Sequence, residues 1–322
     1  MTYVVTSMFA DKGLSLFVNH CVWYSFCNGE DTSTTGNGKI YHSIFVDIAN
    51  IAYLCVQIEI LSAMRSTTPL HLYPMPNSEV TAFSTTRHGG CGSDAYAGFN
   101  CTPYVGDKPA VVKANQELLC ELLSIPTERL IIPYQTHSCN ILTIDDTFRH
   151  LSADARHAIM QEKDAVMTHV EGLCLCVSTA DCIPILLYDA THKAIAAVHA
   201  GWRGTVERIV TQTVEAMHET YGTEGTDIHA IIGPGISLEA FEVGMEVYEA
   251  FKERGFDMEQ IARWYPEKEK YHLDLPNANR LQLLSAGVPV GQILDSGICT
   301  YTRHQDFFSA RRLGVKSGRI LN

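Results

Sequence analysis

The chain has 322 residues, of which 46% are hydrophobic and 19% charged, and its formal net charge is −12. This length and apolar content suffice for a large buried core and exclude global disorder. The acidic balance argues against non-specific nucleic-acid binding, which needs clustered Lys and Arg, but it does not exclude a small anion held by a few arginines.

Residues 1–63 differ from the rest of the chain, because they combine Cys, aromatic and polar residues without a clear period and include the turn-prone tract DTSTTGNGK. Organised patterning begins only after Met64, in RSTTPLHLYPMPNSEV. Two interpretations are open: a small N-terminal extension that packs on the main domain, or upstream translation before a true start at Met64. We favour the second, in which 1–63 is not part of the native domain and 64–322 is the native domain.

The most apolar stretch in this N-terminal region is SIFVDIANIAYLCVQIEIL. It contains Asp47, Asn50, Gln57 and Glu59, which hydrocarbon would penalise, so we predict that it does not span a membrane. The sequence also shows no charged start followed by an apolar signal segment. The eleven cysteines are irregularly spaced, without a CxxC pair, which favours reduced thiols in a cytoplasmic protein over a disulfide framework.

After Met64 the pattern is α/β. GDKPAVVKANQELLCELL predicts a helix capped by Asp107 with Pro109 in its first turn. LCLCVSTAD, PILLYD and KAIAAVHA are short apolar runs typical of buried strands, and Cys174 and Cys176 should share one strand face.

Further along the chain, GTVERIVTQTVEAMHETYG predicts one amphipathic helix that stops at Gly222. Its buried face would contain Val206, Ile209, Val210, Val214 and Met217. DIHAIIGPG predicts a strand and a turn, and two more helices should end at Gly255 and Gly287. The expected fold is mixed α/β, a layered sandwich of mixed β-sheets flanked by helices in a single compact domain.

Three polar residues lie beside these apolar strands. His137 follows LIIP, Cys182 lies in STADCIP between two strands, and His199 lies in AAVHAGWRG at a strand end. Each alone is weak evidence, because a single His or buried Cys is more often structural. Together, two imidazoles and a thiolate suit zinc and leave a fourth position for water or substrate.

Arginines near glycines form a second candidate set. Arg87 precedes paired glycines in STTRHGGCG, and Arg203 lies at a helix start in GWRGT. Arg311 and Arg312 follow in FFSARRLG. The competing interpretation is that they pair with surface acids, the usual fate of an arginine.

In this order, TTRHGG, QTHS, TADCIP, HAGWRGT, IGPGI with FEVG, HLDL and FFSARRLGVKSGR resemble the YfiH family. The family comprises purine nucleoside phosphorylases with adenosine deaminase activity, long labelled polyphenol oxidases or laccase-domain proteins. The resemblance covers Tyr73 to Arg319 and is specific, since HAGWRG and TADCIP occur together. The family's chains normally begin shortly before TRxGG, which supports Met64 as the start.

The resemblance implies that His137, Cys182 and His199 bind a catalytic zinc, with copper as the alternative ion. It implies phosphate or ribose contacts for Arg87, Arg203 and Arg311, and Asn100 matches an asparagine that commonly follows TRxGG. The usual SYRR of the family is SARR here, so a tyrosine hydroxyl is missing at Ala310. The implied partners are adenosine, inosine, methylthioadenosine and phosphate, with no nucleic acid and no membrane.

Zinc would lower the pKa of a bound water, giving a hydroxide for attack on C6 of adenine. Asp181 is the candidate acid that protonates the departing amine, or alternatively a residue that only orients a metal ligand. In phosphorolysis the arginines would position phosphate at the ribose C1′. Rival functions are a cysteine hydrolase using Cys182 with a His base, a copper-dependent phenol oxidase, and a binding module in which Cys139 completes a structural zinc site.

Overall fold

The computed structural model describes residues 68–77 and 79–322. The predictions made for residues 1–63, including the segment 43–61, lie outside these described residues. The strands are β1 Leu70–Tyr73, β2 Ala82–Thr85, β3 Leu130–Ile131, β4 Ile141–Ile144, β5 Ala165–Thr168, β6 Cys174–Leu175, β7 Ser178–Thr179, β8 Ile183–Asp189, β9 Ala194–Ala200, β10 Ile228–Ile232, β11 Glu242–Val243, β12 Ala262–Tyr265, β13 Lys270–Leu273, β14 Ile293–Asp295 and β15 Ile320–Leu321.

The α-helices of the described residues are α1 Pro109–Leu123, α2 Ala153–Ile159, α3 Trp202–Val206, α4 Ile209–Tyr221, α5 Met245–Glu253, α6 Met258–Ile261, α7 Leu275–Ser285 and α8 Ala310–Leu313. Short 3₁₀ helices span Asp94–Tyr96, Thr127–Arg129, Asp146–His150, Gly225–Asp227 and Val290–Gln292.

A six-stranded mixed sheet in the order β14-β10-β8-β9-β5-β4 organises the domain. Its centre is the β8–β9 hairpin, an antiparallel pair in which Pro184 lies opposite His199 and Asp189 opposite Ala194. Antiparallel β10 and β5 flank the hairpin, and β14 and β4 add to the two edges in parallel. The central strands are continuous apolar runs because both faces are covered.

Helices α3, α4 and α7 pack together, and α3 and α4 also contact β9. The five apolar residues predicted on the buried face of the long amphipathic segment are all buried. The prediction of one continuous helix there was wrong, since α3 ends at Val206 and α4 begins at Ile209. Arg208 between them has φ +62°, a left-handed conformation that breaks the helical path, while Gly222 closes α4 with φ +79° as predicted.

Other elements differ in detail from the sequence prediction. LCLCVSTAD is not one strand, because β6 pairs with β3 whereas β7 pairs with β15 in another sheet. Cys174 and Cys176 do lie together, with Sγ atoms 3.7 Å apart. The cap of α1 is Lys108 rather than Asp107, whose carboxylate accepts hydrogen bonds from the Lys108 amide and from Asn100.

The predicted fold class is confirmed: mixed α/β, with several sheets flanked by helices. Within the part of the chain that the structure describes, no helix combines the length and apolar character required to cross a bilayer.

Candidate metal centre

The β8–β9 hairpin positions two of the three predicted ligands at its open end. Cys182 immediately precedes β8, and His199 is the penultimate residue of β9, so strand pairing places them side by side. His137 arrives from the loop between β3 and β4 with φ +62°. The ligand atoms of all three lie within 4.8 Å of one another, although the residues are far apart in sequence.

The geometry of this cluster suits a single metal ion. The Nε2 atom of His137 lies 3.8 Å from the Sγ atom of Cys182, and the two imidazole rings are 4.9 Å apart at 74°. Tetrahedral zinc with ordinary Zn–S and Zn–N bonds separates such atoms by about 3.6 Å. Gly201 leaves room for this approach, since a Cβ there would lie 2.9 Å from His137 Cδ2 and 3.0 Å from Cys182 Sγ.

A buried carboxylate that sequence reasoning missed lies directly behind the cluster. Asp164 is fully buried just before β5, and its Oδ1 atom is 2.7 Å from His199 Nδ1. It also accepts hydrogen bonds from the backbone of residues 136–138 and from the Ser138 hydroxyl. The available signal was an acid preceding a buried strand in EKDAVMT, which resembles many ordinary strand starts.

Electrostatics favour a thiolate at Cys182. Burial acts to raise its pKa, but His199 and His137 outweigh this and lower the pKa to about 6. Burial acts to lower the pKa of His199, whereas Cys182 and Asp164 raise it to about 9. Burial likewise opposes ionisation of Asp164, but hydrogen bonds from His199 and Ser138 lower its pKa to about 2. A thiolate is the form of cysteine that binds metals.

The cluster lies at the wall of a cavity of about 540 Å³. Asp181 and Arg311, both predicted from sequence, line the same cavity together with Arg319. Aromatic side chains of Tyr104, Tyr134 and Phe241 form other parts of its wall.

Asp181 is held tightly within this wall. It has φ +82°, its Oδ1 accepts a 2.7 Å hydrogen bond from the Thr300 hydroxyl, and its Oδ2 accepts one of 2.7 Å from the Arg311 amide. The Arg311 guanidinium donates to the Glu242 carbonyl. Arg319 donates to three backbone carbonyls of residues 315–318, and burial lowers its pKa. Both cations are therefore fixed in place.

Three other predicted residues are not among those lining this cavity. The Arg87 guanidinium donates to the carbonyls of Ala97 and His304 and lies 5.0 Å from the Phe308 ring centroid.

Asn100 is fully buried and bonds Asp107, the Thr102 amide and the Arg319 amide, so it supports the segment that carries Arg319. Arg203 is exposed, with its guanidinium over the Trp202 ring.

Cys139, the suspected fourth ligand, does not join the three-residue cluster. Its thiol lies 3.9 Å from the Gly204 carbonyl and packs against the main hydrophobic core. Burial raises the pKa of this thiol to about 11, which disfavours the thiolate that zinc requires. Among the described residues the cluster therefore offers three donor side chains, one fewer than the four protein ligands usual in structural zinc sites.

Comparisons with known proteins agree with the predicted resemblance. Residues 81–322 match the family described as multi-copper polyphenol oxidoreductase laccase. A purine nucleoside phosphorylase of Bacteroides thetaiotaomicron is 54% identical over 245 residues, which cover 76% of this chain and 91% of the relative. Adenosine deaminase RL5, from an unknown prokaryotic organism, is 44% identical over 240 residues, covering 74% of this chain and 91% of that protein.

Solved structures show the same fold. Bacillus licheniformis YfiH superimposes with a TM-score of 0.70 at 30% identity, covering 75% of this chain and 90% of the other. YlmD of Geobacillus stearothermophilus gives a TM-score of 0.70 at 30% identity, covering 79% and 97%. The motifs, the matched region and these relatives agree, and the chain belongs to the YfiH or laccase-like family.

Proposed function

We propose that the protein is a zinc-dependent purine nucleoside phosphorylase with adenosine deaminase activity. The observation that carries this proposal is the convergence of His137, Cys182 and His199 on a cavity that also contains two fixed arginines. The names of the relatives at 54% and 44% identity support the same chemistry. Adenosine, inosine and methylthioadenosine are the proposed substrates, with phosphate as co-substrate. We assign the enzyme to the cytoplasm, where its eight free cysteines in the described region would stay reduced.

The donor set supports zinc as the metal, with copper as the alternative. One thiolate and two imidazoles match the borderline-soft character of zinc, and His137, Cys182 and His199 would hold it. A bound zinc ion supplies a Lewis acid and lowers the pKa of water to about 7.

The cavity suits a nucleoside in size and lining. Its volume of about 540 Å³ lies in the range of small-molecule sites. Tyr104 and Tyr134 are 5.0 Å apart at 80°, and Phe241 lies beside Arg311, so flat aromatic surfaces are available to a purine ring. Phosphate would be held by Arg311 and Arg319, a revision of the expected Arg87 and Arg203 that rests on the cavity lining.

In phosphorolysis a phosphate oxygen forms a bond to the ribose C1′ while the bond from C1′ to the purine nitrogen breaks. Arg311 and Arg319 would position the anion and offset its charge, since both are already immobilised by backbone contacts. In deamination a water oxygen adds at C6 and ammonia leaves. Both carboxylate oxygens of Asp181 already accept hydrogen bonds, from the Thr300 hydroxyl and from the Arg311 amide, so we assign Asp181 the role of holding the Arg311 segment rather than that of proton donor.

One rival is favoured by a specific observation. Cys182, His199 and Asp164 form a thiolate, imidazole and carboxylate series, which is the arrangement of a cysteine hydrolase. Its activity would survive metal removal. A copper-dependent phenol oxidase, suggested by the family description, would instead need copper and oxygen.

The test is metal analysis of the purified full chain with chromatographic assay of adenosine, with and without phosphate. The proposal expects one zinc per chain and adenine only when phosphate is present. Deamination is expected in both conditions, detected as inosine without phosphate and as inosine plus its phosphorolysis product hypoxanthine with phosphate. Chelation should abolish both reactions, and zinc should restore them. Activity that persists after complete metal removal would favour the hydrolase, and phenol oxidation that depends on copper would favour the oxidase.

A further inference from the structure

We propose that Asp164 is a positioning residue that orients both histidine ligands, His137 and His199, through a single carboxylate. The inference rests on the proposed metal centre, but not on the nucleoside chemistry. Asp164 lies immediately before β5 and is not among the residues that line the cavity. Its influence on the metal would therefore act only through its hydrogen bonds to the ligands.

The first contact fixes the His199 ring. His199 Nδ1 donates to Asp164 Oδ1 at 2.7 Å, and both side chains are almost completely buried, at 4% and 0% exposure. The backbone reinforces this pairing, because the His199 amide donates to the Asp164 carbonyl at 2.8 Å. In the metal-bound state, the contact with Asp164 would keep the proton of His199 on Nδ1, so that the Nε2 lone pair faces the metal centre.

The second contact fixes the loop that carries His137. The His137 amide donates to Asp164 Oδ1 at 3.0 Å, and the amides of Thr136 and Ser138 donate to Oδ2 at 3.1 Å and 2.8 Å. His137 has φ +62°, a conformation that residues other than glycine adopt at a cost. Three converging amides hold the loop in this left-handed turn and direct the imidazole toward Cys182.

Only a carboxylate satisfies all of these donors. Asp164 accepts from His199, from three backbone amides and from the Ser138 hydroxyl, and an ionised carboxylate has acceptor capacity on both oxygens. An asparagine would have to point its NH₂ group at one set of donors. Facing His199, that NH₂ would favour the tautomer with the proton on Nε2 and so remove the lone pair needed by the metal. Facing residues 136–138, it would repel the amides that hold His137.

The test is a competitive titration of the metal-free full chain with Co²⁺ and Zn²⁺, comparing the parent, Asp164→Asn and Asp164→Ala. We expect both variants to bind 10–100-fold more weakly, as is common for partners of metal-binding histidines. Asn should be no better than Ala, because an amide gives the wrong tautomer or the wrong loop. Hydrogen exchange at residues 136–138 should accelerate in both variants, which reports on the His137 loop independently of metal.

Asp306→Asn is the matched control. Asp306 is also buried and also joins a histidine, His88, to another group, Arg303, and it is not part of the metal-ligand cluster. Its variant should keep parental metal affinity. Equal loss in Asp306→Asn, or parental affinity in Asp164→Asn, would overturn the inference.

A measurement on the parent protein covers the case in which the Asp164 variants do not fold. Nitrogen-15 NMR of the zinc-loaded protein should show His199 protonated on Nδ1 and metal-bound through Nε2. The opposite tautomer would overturn the inference while leaving the metal centre intact. A parent protein that binds neither Co²⁺ nor Zn²⁺ would instead refute the proposed metal centre, and the inference with it.

Discussion

The two ends of the β8–β9 hairpin carry similar residues and differ in what those residues do. At the open end Cys182 and His199 meet His137, and at the closed end Asp189 and His192 meet Asp227. In each group the potential metal-ligand atoms lie within 4.8 Å of one another. Proximity of potential metal-ligand atoms therefore does not distinguish the two ends.

The difference is in the hydrogen bonds that the donor atoms already make. At the closed end Asp189 accepts from the amides of Thr191 and His192 and from His192 Nδ1, at 2.8, 3.0 and 2.7 Å, while Asp227 accepts from the Glu224 amide at 3.0 Å. These contacts fold the hairpin turn and the 3₁₀ turn before β10. At the open end Asp164 accepts the hydrogen bonds of the backbone amides of residues 136–138. The sulfur of Cys182 and the Nε2 atom of His137 therefore face one another. The candidate centre is therefore defined by ligand atoms that contact one another rather than backbone amides, and not by the mere presence of His, Cys or Asp.

The largest expected effect separates the two ends directly. Cys182→Ala should lower kcat/KM for adenosine by about 1000-fold or more and remove stoichiometric zinc, because it deletes the thiolate among the three proposed ligands. His192→Ala at the closed end should retain both properties. Metal analysis and steady-state kinetics on the two variants measure this. Similar losses in both would show that the closed end also binds the functional metal.

A second prediction concerns the charge at the open end. Because the pKa of Cys182 is lowered to about 6, alkylation of this residue in metal-free protein should rise with pH to half its maximum near pH 6. At pH 7 about nine-tenths would be thiolate, compared with a few per cent for an ordinary cysteine. His199→Gln should move the midpoint upward, and His192→Gln should not. Peptide mass spectrometry follows Cys182 separately from the other thiols. A midpoint near pH 8.5 in the parent would contradict the predicted ion pair.

The open end was more predictable from sequence than the residues around it. Cys182 and His199 each adjoin a clear apolar run, so strand ends and donor chemistry indicated them without knowledge of the pairing. Asp164 was not predictable in this way, because its contact with His199 depends on β5 lying next to β9. The apolar pattern of the sequence does not specify this strand order. Its contacts reach across 26 to 35 residues of sequence.

The arginines show the limit of local motifs. Arg87 and Arg203 lie near glycines, a pattern that favours anion binding. However, the Arg87 guanidinium donates hydrogen bonds to backbone carbonyls, and Arg203 is exposed over the Trp202 ring. Arg319 lies in a similar glycine-containing segment and does reach the cavity. Arg319 reaches the cavity because the C-terminal strand β15 pairs with β7, which lies just before Asp181 and Cys182 in the chain. The spacing of residues within the arginine motif does not specify this long-range pairing.

A third prediction uses space rather than charge at the open end. Gly201→Ala adds a Cβ that would lie 2.9 Å from His137 Cδ2 and 3.0 Å from Cys182 Sγ. Gly201 has φ −68°, which alanine adopts readily, so the effect should come from displaced ligands and not from backbone strain. Overpacking costing about 1–3 kcal/mol would weaken zinc binding about 5- to 150-fold. Gly291→Ala, where an added Cβ meets nothing within 4 Å, is the control. Zinc titration giving equal affinities for the parent and Gly201→Ala would show that the ligands tolerate the methyl group.

The smallest expected effect tests the closed end as a structural turn. Asp189→Asn should lower the free energy of unfolding by about 1–3 kcal/mol at pH 7, because a buried acceptor is replaced by an amide that cannot serve every donor.

The pH dependence of this difference has a defined sign. Burial acts to raise the pKa of Asp189, but hydrogen bonds, including those from His192 and Thr191, bring it below its ordinary value. The carboxylate therefore stabilises the fold fully above the unfolded-state pKa, and this contribution disappears as pH falls through the lower folded-state pKa. Urea unfolding of parent and variant should thus converge on acidification below about pH 4. Zinc affinity should be the same in both proteins at neutral pH. A weaker affinity in Asp189→Asn would mean that the two ends of the hairpin are coupled through the strands. The contrast between a structural turn and a metal centre would then not hold.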